Sequence, residues 1–182
     1  MPTIRVITAP AVEPVSVETV RAFLRVDGEQ DDPLIASLIQ AAREEWERIA
    51  RRACITQTLE QVVDCFPEDY RMQVLRPPLQ DVISVKYIDR DGVEHTWTDY
   101  QVDTASDPGV ILFKTLPGAM LLESGAVRVR FTAGYGDAAS DVPERVRNDI
   151  MQLAAFWFEE RLSGEVPMHL QLRFRSERTV WF

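Results

Sequence analysis

The sequence predicts an α+β fold: N- and C-terminal helices packed as a small bundle, with a mostly antiparallel β-sheet or sandwich inserted between them. Three observations carry this. Two long stretches, 31–53 and 141–162, repeat apolar residues at spacings of three and four. Between them the texture changes to alternation of period two. That alternating region is punctuated by turn sequences such as Arg76-Pro77-Pro78-Leu79 and Asp89-Arg90-Asp91-Gly92. The expected organisation is an extended arm at 1–15, a helical domain made of 16–54 plus 141–163, a β domain at 55–140, and a tail at 164–182.

Residues 1–15 hold three prolines and read as an arm without packing periodicity. Ser16 is placed to cap a short helix reaching about Val26, with Val17, Val20, Phe23 and Leu24 on its apolar face. The long helix follows. Asp31 or Asp32 can cap it, and Pro33 suits its first position, where a missing N–H costs nothing. Ile35, Leu38, Ile39, Ala42, Trp46, Ile49 and Ala53 fill one stripe of roughly 120° and form the expected core. The opposite face reads as solvated, with Glu44 four before Arg48 and Glu47 four before Arg51.

After Cys54, about six or seven strands are expected: 55–66, 70–75, 82–88, 93–97, 100–102, 110–113 and 126–133. The last of these alternates best. Val127, Val129 and Phe131 point inward; Arg128, Arg130 and Thr132 point outward. Asp141-Val142-Pro143 opens the second long helix, which ends before Gly164. Val146, Ile150, Leu153, Ala154 and Trp157 form one stripe, and Met151, Ala155, Phe158 and Leu162 form another beside it. Together they span roughly 200°, wider than one packing partner needs. Phe156 falls on the opposite, polar side. In the tail, Met168, Leu170, Leu172 and Phe174 alternate with polar residues, which suggests an added strand or an extended arm.

The chain has 182 residues and 46% hydrophobic content, enough for one good core or a core with a small lobe. No apolar run has the length of a membrane span, and the first residues lack the charged start and apolar core of a signal peptide. Folding in a cytoplasm is expected, with Cys54 and Cys65 as inert thiols. Net charge is −9, and residues 55–142 carry 14 acidic and 7 basic side chains. Such a balance repels phosphate and disfavours duplex binding. The two N-terminal helices also lack a basic recognition face, which argues against a helix-turn-helix DNA reader.

No active site is visible. His95 and His169 lie far apart, without Cys or carboxylate at ligand spacing, so neither a zinc site nor any other metal site is expected. No Gly-x-Ser-x-Gly turn is present, and Gly134-Tyr135-Gly136 lacks the spacing and the Lys of a phosphate loop. No cofactor is expected.

The order of the pieces resembles the head–tail connector (adaptor) proteins of tailed bacteriophages and phage-like gene transfer agents. The matching stretches run from Val17 to Leu162: VETVRAFLRVDGEQDDPLIASLIQAAREEWER, RPPLQDVISVKYIDRDG, YQVDTASDPG and VRVRFTAGYGDAASDVPERVRNDIMQLAAFWFEERL. The first and last are the most specific. The resemblance implies a non-enzyme of the virion's head–tail junction, assembled in a bacterial host cytoplasm. It implies a homo-oligomeric ring, commonly a dodecamer, under the portal protein. The ring would meet the next tail component (a stopper or tail terminator) and form part of a channel that DNA traverses without specific binding or membrane contact. A small hydrolase-like enzyme with its site in the β domain is the alternative.

An adaptor works through its surfaces. The candidate interface residues are Phe156 and Phe158 on the second long helix and Phe174, Trp181 and Phe182 as tail anchors. Arg173, Arg175 and Arg178 would meet acidic groups at the rim. Ile35, Leu38, Ile39, Trp46, Ile49, Leu153 and Trp157 are the candidate structural core, and each long helix brings one Trp to it.

Overall fold

The computed structural model describes residues 2–118, 121, 124–161 and 165–178. The chain forms two compact units. Among the described residues, one holds the N-terminal segment through Ala9 with Thr56–Gly134; the other holds Pro10–Ile55 and the segment from Tyr135 to Arg178.

Among the described residues, the β unit contains eight strands, all paired antiparallel. They are β1 (Thr3–Thr8), β2 (Gln57–Val63), β3 (Arg71–Gln73), β4 (Leu79–Ile88), β5 (Glu94–Trp97), β6 (Tyr100–Asp103), β7 (Val110–Phe113) and β8 (Val127–Ala133). One sheet has the order β1-β2-β8-β4-β5 and the other β3-β7-β6. The alternation in β8 holds: Val127, Val129, Phe131 and Ala133 are buried while Arg130 is exposed. Phe66 links the two sheets, packing edge-on against Tyr87 of β4 at 6.0 Å and Phe113 of β7 at 5.1 Å.

Two features of this unit differ from expectation. The N-terminal arm is a strand: β1 pairs with β2, for example Thr3 with Val62 and Val6 with Leu59. Its prolines lie outside the paired residues, so the ladder loses no donor. In β4, strict alternation fails because the register shifts between Leu79 and Asp81 and between Val82 and Ser84. A bulge resets which face a residue occupies. Val82 and Val85 are therefore both buried, and Ile83 is half exposed.

The helical unit contains α1 (Val17–Leu24), α2 (Asp32–Ala50), α3 (Glu144–Glu160) and α4 (Met168–Ser176). Ser16 caps α1 by accepting from the Thr19 N–H at 3.2 Å. Asp31 stands at the N-cap of α2 but makes no side-chain cap bond, and Asp32 pairs with Arg21 at 3.4 Å. The sequence expectation of a carboxylate cap therefore fails at both residues. The two long helices pack against each other, and α1 and α4 lie against both. Ile35, Ile39, Trp46, Leu153 and Trp157 are buried in one core; Leu38 and Ile49 are partly buried against it.

The far face of α2 is not uniformly wet. Arg43 and Glu47 are buried and paired at 3.2 Å. Glu13 reaches Arg43 at 2.8 Å, and Glu47 accepts the Cys54 N–H at 2.8 Å. This cluster ties the segments on either side of the helix to it, and it displaces the expected pairing of Glu47 with Arg51. Arg48 pairs with Glu45 rather than Glu44, at 2.6 Å. Cys54 and Cys65 are free thiols, the first buried and the second exposed. Burial, reinforced by the Glu47 charge, pushes the Cys54 thiol well above its ordinary value.

The tail is the largest correction. Within it, Met168–Ser176 form helix α4, not a strand or an arm. Leu170 and Phe174 are one turn apart and buried in the core of the helical unit.

Candidate functional site

Two concave surfaces lie on the helical unit. The larger is a groove of about 640 Å³ where the end of α1, the start of α2 and the end of α3 meet. Leu24, Leu34, Leu38, Trp157 and Phe158 supply its apolar wall, and Asp31, Glu159 and Arg161 its polar rim. Trp157 is fixed there because its indole N–H donates to the Glu165 carbonyl at 2.7 Å. Leu34 and Phe23, the residue before Leu24, are each about half exposed, at 50% and 53%. Among the described residues, these groups form an apolar surface without an intramolecular partner.

The smaller is a polar hollow of about 210 Å³ lined by Arg48, Ile49, Arg51, Gln171, Arg175 and Arg178. The C-terminal ends of α2 and α4 bring these arginines together, where cations favour the negative end of each helix dipole. Arg48 is held by Glu45. No carboxylate partner is recorded for Arg51, Arg175 or Arg178 among the described residues. Planar guanidinium groups in this arrangement suit carboxylates or other oxyanions on a partner.

The candidate interface residues separate clearly. Phe158 lines the apolar groove, and Arg175 and Arg178 line the polar hollow. Arg173 is committed within the unit, pairing with Asp149 and reaching Gln152 at 3.4 Å. Burial lifts the Asp149 carboxyl above the ordinary carboxylate range, and the Arg173 charge works against that rise. Phe156 is partly buried against the core rather than projecting into solvent. Phe174 is fully buried and is no anchor for a partner. Trp181 and Phe182 lie outside the described residues. Sequence reasoning missed Leu24 and Leu34 of the groove and Arg48 and Arg51 of the hollow. In sequence Leu24 reads as part of a helix core face, and the two arginines as members of solvated charge pairs; only the convergence of separate helix ends reveals their shared surfaces.

Elsewhere the polar residues serve the fold. Asp89 accepts from the N–H groups of Asp91 and Val93 and meets His95 at 2.8 Å. His95 stacks on Tyr87 at 5.0 Å. Among the described residues, no group of three or more His, Cys, Asp and Glu side chains is arranged to hold a metal ion.

The family model for head completion proteins matches residues 13–166. The chain belongs to the head completion protein family. Three similar solved structures carry related descriptions. A chain from the virion of a native gene transfer agent particle aligns with a TM-score of 0.80 at 22% identity, covering 99% of this chain and 97% of that one. A chain from the neck of an empty gene transfer agent particle, computed with C6 symmetry, aligns at 0.76 and 24%, with the same coverage. A chain from the neck of the native particle, computed with C12 symmetry, aligns at 0.70 and 24%, again with the same coverage. At these identities the likeness is one of fold. No curated protein matches the sequence. Membership of the head completion family, together with this fold, supports a head–tail connector adaptor, a structural protein of the head–tail junction.

Proposed function

We propose that this head completion protein works as a ring-forming adaptor, twelve copies to a ring, seated between the portal protein and the next tail component. The ring forms part of the channel that DNA traverses. The family match over residues 13–166 carries the reading. It is supported by the fold shared with chains of neck structures computed with C6 and C12 symmetry. A ring built head to tail needs two different faces on each copy, and an apolar groove and an arginine-lined hollow are such surfaces. The acidic balance of the β unit suits a wall past which DNA slides, since a basic wall would hold phosphates by counterion release.

The test is imaging of the purified protein by negative-stain microscopy, alone and with portal rings. The expected result is a ring of twelve copies stacked on the portal. Protein that neither forms rings alone nor binds the portal would overturn the reading.

A further inference from the structure

We propose that the apolar groove of one copy receives the outer face of α4 from a neighbouring copy, with Glu159 of the groove rim pairing with Arg175 of the entering helix. This rests on the reading that the chain forms a ring, and it names the contact that closes it. Both halves of the contact are present in the chain. On α4, Leu170 and Phe174 face the core, so Met168 and Leu172 stand on the opposite side one turn apart. Met168 is 69% exposed and Leu172 is 59% exposed, an apolar pair that nothing among the described residues of its own unit covers. Arg175, three residues beyond Leu172, is exposed on the adjoining side of the same helix.

The groove presents the complement. Its wall is Leu24, Leu34, Leu38, Trp157 and Phe158, and its volume of about 640 Å³ has room for two aliphatic side chains. Glu159 and Glu160 fall in the last turn of α3, which contains no basic residue. Carboxylates at a helix C-terminus face the negative end of its dipole, an arrangement a cation from outside relieves. Arg161 at the rim offsets part of this charge, while Asp31 adds to it. No residue of α4 lines the groove of its own copy, so giver and receiver are separate patches. A contact between two different patches is heterologous, and repeated around an axis it closes a ring.

The experiment compares full-length wild type with Leu172→Asp, Leu34→Asp, Glu159→Arg, Arg175→Glu and the double variant Glu159→Arg/Arg175→Glu. Native mass spectrometry and sedimentation velocity measure assembly, with and without portal rings, and circular dichroism melting monitors the fold. All four side chains are solvent-accessible, and Glu159→Arg places a favourable charge at a helix C-terminus, so melting should hardly move. Each single variant should raise the concentration needed for assembly by about tenfold or more, and the double variant should recover most of that loss. If wild type assembles and the single variants assemble at the same concentration, or the double variant shows no recovery, the α4-in-groove contact is wrong while the ring reading stands. If wild type fails to assemble both alone and on portal rings, the ring reading fails and takes this contact with it.

Discussion

Trp46→Ala should cost about 3–5 kcal/mol, because the side chain is fully buried between packed helices and its removal leaves a cavity. Its indole N–H has no acceptor among the described residues, so packing rather than a hydrogen bond accounts for the loss. Denaturant titration measures it; a loss below about 1 kcal/mol would contradict the burial. Asp149 carries a prediction of a different kind. Its folded carboxyl is raised, chiefly by burial and against the pull of Arg173. Below the ordinary Asp value of about 3.9 both folded and unfolded states are neutral at this site. As pH rises, the unfolded chain ionises first, so stability is lost until pH passes the raised folded value. Asp149→Asn cannot ionise. At neutral pH the variant should melt at the same temperature as wild type or higher, and the difference should close in acid. Melting curves at several pH values check this. A variant that melts lower at neutral pH, with the gap widening as pH rises, would show that the pair with Arg173 outweighs the burial.

At the level of elements, α4 shows what an apolar pattern can and cannot decide. Four apolar residues at i, i+2, i+4 and i+6 read as one face of a strand. On a helix the same four fall into two pairs on opposite sides, since two residues advance the wheel by about 200°. Leu170 and Phe174 take the core, and Met168 and Leu172 the solvent. The pattern alone was ambiguous; the choice depended on a cleft beside α2 and α3 that the local sequence does not encode. In α2 and α3 the stripe extends for four turns or more and leaves no such ambiguity, and in β8 alternation is unbroken. The bulges of β4 and the pairing of β1 arise from partners distant in sequence, so they escaped the local pattern. The same distance hid the groove, whose lining comes from three helices. Because α4 fills the core, Phe174→Ala should cost about 3–5 kcal/mol, and a chain ending at Arg161 should melt many degrees below wild type. Thermal melting checks both. An unchanged melting temperature in the shortened chain would mean that α4 is peripheral.

For the whole molecule, charge is the quantity that connects fold to proposed task. The acidic residues of the β unit are not equivalent. Asp64, Asp89 and Asp103 accept backbone N–H groups in loops, and the buried Glu60 pairs with the exposed Arg130 at 3.1 Å. Reversing these charges would break turns before it tested any channel. Glu68, Asp81 and Asp91 are exposed, and none of their carboxylates has a recorded hydrogen-bond or ion-pair partner among the described residues. Their replacement by Lys changes the charge of each copy by six while leaving those turn bonds in place. In a ring the change is multiplied by the number of copies, and phosphate attraction falls off over a Debye length of about 8 Å at physiological salt. The triple variant should therefore melt close to wild type, join particles normally and slow DNA passage in packaging or ejection assays. The slowing should be greatest at low ionic strength, where counterion release favours phosphate binding most. Wild-type rates at low salt in particles shown to contain the variant would mean that these carboxylates do not face the DNA, and the channel role of the β unit's charge would be lost.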